Sequence, residues 1–362
     1  MWAALAILVI IISTAGHQYL KSTLVKSFLM LVFVLLACVV SFTYFEKLTT
    51  VALGYGYGGQ WAQPVIFILL FLLTFAIFVA ISEKLIIQNL ILGDQIDLAG
   101  RVVFGIIIGF VLSGVVLITV AMMPIPTKWP YERFEVPTEN SRLDLATPKK
   151  AILNPDGFVA GLYSWISQGS LSSKKSFAVF HPDYIDQVHL NRYKKADSKI
   201  INIAGKESIQ VKAAWVPETE LTVVSPNEPF AEKAGTRSII VRAGIKNAEI
   251  KDGGAMSEDG TVSFAFSQIR LMYKTKDQAN NLTGSAKPTH PSGYIKTANM
   301  VEQKALTAEI SPLRSDFSRG VKWFDFVFNV PTTAVPVLLE FKQNSVAKVP
   351  PLVTGDKIPE QL

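Results

Sequence analysis

The chain has 362 residues, of which 49% are hydrophobic and 18% charged, and its 35 basic and 29 acidic side chains give a net charge of +6. Such a diluted charge argues against a nucleic-acid-binding protein, because those proteins concentrate Lys and Arg on one face. The single cysteine, Cys38, excludes an intrachain disulfide and a cysteine-based metal site. Any water-facing domain must therefore be stabilised by its own apolar core.

Four hydrophobic runs lie within residues 1–126, at 1–16, 27–45, 64–81 and 102–125. Each approaches the ~20 residues that cross a hydrocarbon layer of ~30 Å, so we predict a four-helix transmembrane domain. The first run is short, but it lacks the basic start and the cleavage site of a signal peptide, and we expect a retained helix. The middle of every run is free of charge, which argues against ion-coupled transport.

The loops between the runs predict the orientation in the membrane. Lys21 and Lys26 separate the first two runs, and Lys84 and Arg101 separate the last two. The loop between runs two and three has one lysine, offset by the glutamate before it. Because Lys and Arg prefer the cytoplasmic side, we expect the N-terminus and the C-terminal domain to lie outside.

Residues 82–98 mix apolar and charged side chains and are not apolar enough to cross a bilayer. Their pattern predicts an amphipathic helix that lies on the inner membrane surface. A plain cytoplasmic loop is the alternative.

Small residues recur every four positions in run four, at Gly105, Gly109 and Ser113. Such a groove lets another helix approach closely, and in lipid this dispersion packing replaces the hydrophobic drive. We predict that these residues form a helix-packing site, either within one chain or between subunits.

After residue 126 the chain reads as soluble sequence. We assign 127–153 to a Pro-rich linker, 154–198 to a short helical segment with helices after Asn154 and from Pro182, 199–349 to a β-sandwich domain and 350–362 to a disordered tail. Alternating apolar residues at 208–212, 262–271, 323–328 and 337–341 predict strands of an antiparallel sandwich, each with one face in water. Residues 323–342 resemble the last two strands of bacterial immunoglobulin-like extracytoplasmic domains.

The densest cluster of possible metal ligands is the segment 181–189. On a helix, Asp186 and His189 would share a face that a metal could bridge, but further ligands have no obvious source, so we favour a capped helix start. We expect His290 to be a solvated loop residue. Nucleophile-elbow and phosphate-loop motifs are absent from the sequence, so we predict no enzyme activity, no metal and no cofactor. We assign the following aromatic residues to the core: Phe264, Phe266, Trp323, Phe324, Phe326 and Phe328.

Three stretches of residues 1–124 carry a family resemblance: a first helix ending at Gly16 with the basic turn of Lys21 and Lys26, the exit from run two at 42–48, and a polar segment followed by the glycine repeat of run four. Together they resemble the colicin V production protein (CvpA-like) family. The family tends to place an acid–basic pair one turn before the first glycine of the fourth helix. Here Arg101 holds that position and Asp97 lies one turn earlier. The resemblance implies an inner-membrane protein of the bacterial envelope, linked to toxin export or envelope maintenance.

These observations favour a non-enzymatic envelope protein. Its helices would anchor, and oligomerise, a β domain that binds a partner outside the membrane, with the lipid bilayer and copies of itself or other envelope proteins as partners and no nucleic acid. One alternative is an oligomeric channel or export component with Gly105 and Gly109 at the contact. The other is a membrane-tethered hydrolase that works through His181 and His189.

Overall fold

A computed structural model describes residues 2–85, 93–135, 143, 145–169, 175–193, 200–205, 207–246, 263–278, 281–360 and 362. The chain divides into two compact units. The first comprises Met1–Phe134 and Thr147–Tyr163, and the second comprises Glu135–Ala146 and Ser164–Leu362.

The first unit is helical. Its long helices are α1 (Trp2–Lys21), α2 (Leu24–Gly54), α3 (Ala62–Leu85) and α4 (Asp94–Met122), and it also holds the first turns of α5 (Pro155–Gln168). By length and composition α1 to α4 can each cross a membrane, so the prediction of four long apolar helices is confirmed. Helix α2 has 31 residues and extends well past its apolar run.

The sequence predicts a separate interfacial helix at 82–98. In the described parts of this stretch, the residues belong to the ends of two longer helices instead. Residues 86–92 of that stretch lie outside the described residues. Before them the chain belongs to α3, and from Asp94 onward it belongs to α4, with Asp97 buried. The charged residues at 94–101 therefore form the first two turns of a long helix rather than a surface helix.

Helix α4 is the centre of this unit. It packs against α1, α2 and α3, and about half of its apolar span is buried, whereas α1 and α3 are mostly exposed. Helices α2 and α3 join through an aromatic cluster in which the Phe42 ring lies 5.0 Å from Phe67 and 6.3 Å from Phe45, all edge-on. Edge-to-face rings at such distances are favourable beyond their buried area.

The second unit is rich in sheet. Two short helices precede the strands: α6 (Phe177–Phe180) and α7 (Tyr184–Leu190). The strands are β1 (Ile209–Trp215), β2 (Thr222–Val223), β3 (Thr236–Lys246), β4 (Phe264–Ala265), β5 (Ile269–Thr275), β6 (Lys287–Thr289), β7 (Pro291–Thr297), β8 (Met300–Gln303), β9 (Glu309–Ile310), β10 (Val321–Pro331), β11 (Ala334–Phe341) and β12 (Ser345–Lys348).

These strands form open sheets. A six-stranded sheet has the order β1-β3-β10-β7-β8-β2, a four-stranded sheet has the order β12-β11-β5-β6, and β4 pairs with β9. The ladders are antiparallel except for β2 with β8, which is parallel. Strands β10 and β11 follow each other in sequence but belong to different sheets. After β12 the chain still pairs, because Val353 bridges to Trp215.

One apolar core is built by both large sheets. The six-stranded sheet contributes Val241 from β3 and Phe326 from β10, and the four-stranded sheet contributes Leu271 from β5 and Phe341 from β11, all without exposed surface. The core also holds most of the aromatic residues that the sequence assigns to it: Phe264, Phe266, Phe324, Phe326 and Phe328. Trp323, at the edge of this region, is half-buried.

The central strands β3 and β10 do not have a water-facing side. Their alternate residues, Ile240 and Val327, lie in a second buried cluster with Trp215, Leu221 and Phe230. The expectation of one face in water is therefore wrong for 323–328, which lies in β10, whereas β3 was not predicted as a strand. It is also wrong that 262–271 is one strand: a 3₁₀ turn at Phe266–Gln268 separates β4 from β5, and Val262 lies outside the described residues.

Because the second unit has its own core, we expect residues 164–362 to fold without the long helices. Circular dichroism should show a β-rich spectrum and a single cooperative melt. The variant Phe326→Ala should lower the melting temperature strongly, since removing a buried Phe side chain costs about 3–5 kcal/mol. An unfolded or aggregated wild-type fragment would contradict an independent core.

Candidate functional site

The glycine groove of α4 faces α1 of the same chain. A Cβ atom added at Gly109 would lie 2.6 Å from the Cα of Ile11, and one at Gly105 would lie 2.8 Å from the Cα of Ala15. Such distances leave no room for any side chain, so the two backbones meet directly. Ser113, the third residue of the repeat, is fully buried, and its hydroxyl donates to the Gly109 carbonyl at 2.7 Å.

Gly114 lets α4 contact another helix closely. A Cβ atom at Gly114 would collide with the Pro155 carbonyl and with the side chain of Val159, which belong to the start of α5. Gly114 thus lets a second helix approach α4 within the first unit. Because glycine has no side chain, α4 can carry close neighbours on two sides.

The structure assigns roles to Asp97 and Arg101, which the sequence left open. Asp97 Oδ1 accepts a hydrogen bond from the Leu24 amide at 2.9 Å, so a carboxylate on α4 satisfies one of the unpaired amides at the start of α2. Arg101 Nη1 donates to the Ser22 carbonyl at 3.2 Å, and its Nε lies 3.8 Å from Asp97 Oδ2. The pair therefore fastens the α1–α2 turn to the first turns of α4.

The same turn is held by a buried polar contact between α1 and α2. The Ser27 hydroxyl donates to Gln18 Oε1 at 2.8 Å, and both side chains are buried. Thr23 caps α2, because its hydroxyl accepts from the Lys26 amide at 3.4 Å. Short polar residues such as Ser22 and Thr23 are typical of a helix start and can be read from the sequence. The contact of this turn with α4 is visible only in the structure.

The segment 181–189 lies in the second unit and is mostly buried, with Asp183 exposed and Asp186 half-buried. His181 Nδ1 is 2.9 Å from Gln187 Oε1, and the Gln187 amide donates to Glu340 Oε1 on β11. His189 Nδ1 is 2.9 Å from the guanidinium of Arg192. A positive guanidinium beside the imidazole disfavours a cation there, and no group of three or more His, Cys, Asp or Glu suited to a metal occurs in the described ranges.

Glu340 forms the centre of that network. Its Oε2 accepts from Arg270 Nε at 2.8 Å and from Nη2 at 2.6 Å, and Arg270 Nη1 also donates to the Pro182 carbonyl at 3.1 Å. Arg270 on β5 stands opposite Glu340 on β11, and both are almost fully buried. The network thus attaches the α6–α7 segment to the four-stranded sheet.

The six-stranded sheet contains a matching pair. Arg242 on β3 stands opposite Asp325 on β10 and donates to its two carboxylate oxygens at 2.7 and 2.6 Å. Its third donor reaches the Glu360 carbonyl at 2.6 Å, and its guanidinium lies 5.5 Å from the centre of the Trp215 ring. Each large sheet therefore buries one cross-strand arginine–carboxylate pair.

Two further basic residues, His290 and Lys342, are less exposed to solvent than basic side chains usually are. His290, expected as a solvated loop residue, is half-buried between β6 and β7, and its Nδ1 lies 3.0 Å from the Ile269 carbonyl. Burial, with the Arg270 charge, lowers the pKa of His290 to about 3. Lys342 is buried, its amine has no hydrogen-bond partner among the residues that the structure describes, and desolvation lowers its pKa to about 7.

The comparisons with known proteins do not assign a relative. No protein-family model matches the chain, and neither a curated protein nor a solved structure matches it. Function must therefore be argued from the residues described above.

Proposed function

We propose that this protein is a non-enzymatic membrane protein of the bacterial envelope. Helices α1 to α4 anchor it in the inner membrane, and the sheet-rich unit is an extracytoplasmic domain that binds a protein partner. The resemblance of residues 1–124 to the colicin V production family supports a role in toxin export or envelope maintenance.

The observation that carries this proposal is the set of four long apolar helices. Within them, two buried hydroxyls are satisfied by their own helix: Ser41 donates to Ala37, and Thr119 donates to Val115, each to the carbonyl one turn earlier at 2.8 Å. A hydroxyl that is bonded to its own helix needs no water inside the bilayer. Such helices suit an anchor better than a transport path.

The sheet-rich unit supports the binding role because it has a closed core of its own. Two sheets that share one core are the basis of a β-sandwich, and in the proposal this domain is the antiparallel, immunoglobulin-like sandwich that the sequence predicts. The one parallel ladder, β2 with β8, is a departure at the sheet edge.

The two alternatives receive no support from the described residues. The channel alternative needs Gly105 and Gly109 between copies of the chain, and both lie against α1. The hydrolase alternative needs a reachable His181 or His189, and both are buried beside Gln187 and Arg192.

Thiol labelling in intact cells tests the membrane topology. In a Cys38→Ser background, Ala234→Cys places a thiol on an exposed residue of the sheet-rich unit, and Lys21→Cys places one in the α1–α2 turn. We expect an impermeant maleimide to label residue 234 in intact cells and residue 21 only after lysis. The reverse pattern would contradict the orientation, and release of the chain from membranes by alkaline washing would contradict the anchor itself.

A further inference from the structure

A cavity of about 280 Å³ opens at the end of the helical unit where α1 meets α2 and where α3 ends. Its polar lining includes Lys21 from α1, Lys26 from the first turn of α2, and Glu83 from the last turns of α3. The remaining lining includes side chains that lie deeper along α2 and α3. The cavity therefore has a charged mouth and, on α2 and α3, an apolar wall.

The mouth is basic overall. Lys21 and Lys26 are exposed, and neither has a carboxylate within 4 Å among the described residues. His17 adds a third nitrogen-bearing side chain, whereas Glu83 supplies one negative charge. The amino end of α2 lies at the same mouth, but Asp97 already accepts from its Leu24 amide, so the lysines provide the attraction for an anion. Two free ammonium groups at a helix start form an environment that favours an anion.

The wall of the interior formed by α2 and α3 is apolar, whereas α1 contributes Gln18. Leu29 and Phe33 on α2 lie one and two turns beyond Lys26, and Val79 on α3 lies one turn before Glu83. At a rise of 1.5 Å per residue, Phe33 lies about 10 Å deeper than Lys26 along α2. Phe33 stacks on Phe78 with ring centroids 5.5 Å apart, so α2 and α3 are in contact there.

We propose that this cavity binds an anionic phospholipid. Lys21 and Lys26 hold the headgroup phosphate, and the apolar wall of Leu29, Phe33 and Val79 receives the first part of an acyl chain. The inference rests on the proposed function, because α1 to α3 must span a bilayer for a lipid to reach the cavity. A soluble anion would use the lysines but would gain nothing from the apolar wall.

The test uses the full chain purified in a neutral detergent. Native mass spectrometry then measures binding of dioleoyl-phosphatidylglycerol and, in parallel, of dioleoyl-phosphatidylcholine. Since each basic residue near anionic lipid contributes about 1 kcal/mol, we expect the double variant Lys21→Gln with Lys26→Gln to bind phosphatidylglycerol at least about tenfold more weakly. Phosphatidylcholine binding should change little.

The matched control is Lys47→Gln with Lys128→Gln, which removes the same charge from two exposed lysines that do not line the cavity. It should leave phosphatidylglycerol binding unchanged. Glu83→Gln should strengthen binding, because it removes the one carboxylate of the described lining. A gain of affinity cannot arise from misfolding, so this variant tests the site even if the double variant is unstable.

Three results would overturn the proposal. These are equal binding of the two lipids by the wild type, equal loss in the control pair, and displacement of phosphatidylglycerol by inorganic phosphate alone, which would indicate a soluble-anion site. Alkaline washing of membranes distinguishes a failure of the lipid-site proposal from a failure of the proposed membrane anchor. A chain that stays in the membrane pellet but shows no lipid preference loses only the lipid site, whereas a chain that is washed off loses the anchor as well.

Discussion

Replacing Glu340 by Gln is expected to destabilise the sheet-rich unit by about 3–5 kcal/mol. The change leaves the Arg270 guanidinium buried without its carboxylate, since Glu340 Oε2 is the acceptor for two of its donors. Because glutamine keeps only one of the two oxygens, residue 340 can no longer use separate oxygens to accept from Arg270 and from the Gln187 amide. Urea unfolding of the fragment 164–362, followed by circular dichroism, gives the loss directly.

Two controls separate the buried charge from the loss of a carboxylate in general. Glu302→Gln breaks two partly exposed ion pairs, with Lys304 and Lys296, and it should cost no more than about 1 kcal/mol per pair. The double variant Glu340→Leu with Arg270→Met removes both charges and should recover much of the stability, because paired buried charges gain little over apolar residues of similar volume. If Glu340→Gln lowered the stability as little as Glu302→Gln, the buried Arg270 would not need the Glu340 carboxylate.

The second large effect is expected for Gly105→Leu with Gly109→Leu. At both positions the nearest atoms belong to the α1 backbone, at Ala15 and Ile11, so α1 and α4 must separate to admit the new side chains. In lipid, van der Waals packing at small residues is a main source of helix association, so separating the two backbones removes that contribution. We expect faster proteolysis of the helical unit and a lower melting temperature in detergent, while the sheet-rich unit melts as before.

Gly16→Leu is the matched control, because a Cβ atom at Gly16 on α1 meets nothing within 4 Å. It should leave both measurements unchanged. If the glycine double variant instead reduced the mass of the detergent complex with unchanged protease resistance, the groove would join subunits. Unchanged mass together with unchanged resistance would mean that the groove faces lipid.

The helices were predictable because a span that crosses lipid must be apolar over its whole length. Their ends were not, since α2 stays helical through residues 46–54, a stretch that contains the polar residues Glu46, Lys47 and Thr49 beyond the apolar run. Strands β1 and β11 were recognisable by alternation. Strand β3 was missed, because apolar side chains on both of its faces hide the period of two.

The buried pairs had a sequence signal that is clear in retrospect. Each of these four charged residues has an apolar residue directly before and after it in its strand: Arg242, Arg270, Asp325 and Glu340. Alternation alone would place them in water. Their pairing depends on the sheet order, which joins Arg242 to a carboxylate 83 residues away, and spacing along the chain does not encode that order.

The contact between α1 and α4 also sets an order of events during biosynthesis. Leu24 and Asp97, which join the α1–α2 turn to α4, are 73 residues apart. At 5–20 residues per second the ribosome needs roughly 4–15 s to cover that distance. During this interval the α1 surface around Ile11 and Ala15 has no α4 to cover it, and the first amides of α2 lack their carboxylate. The helical unit therefore closes late, when its last long helix enters the bilayer beside its first.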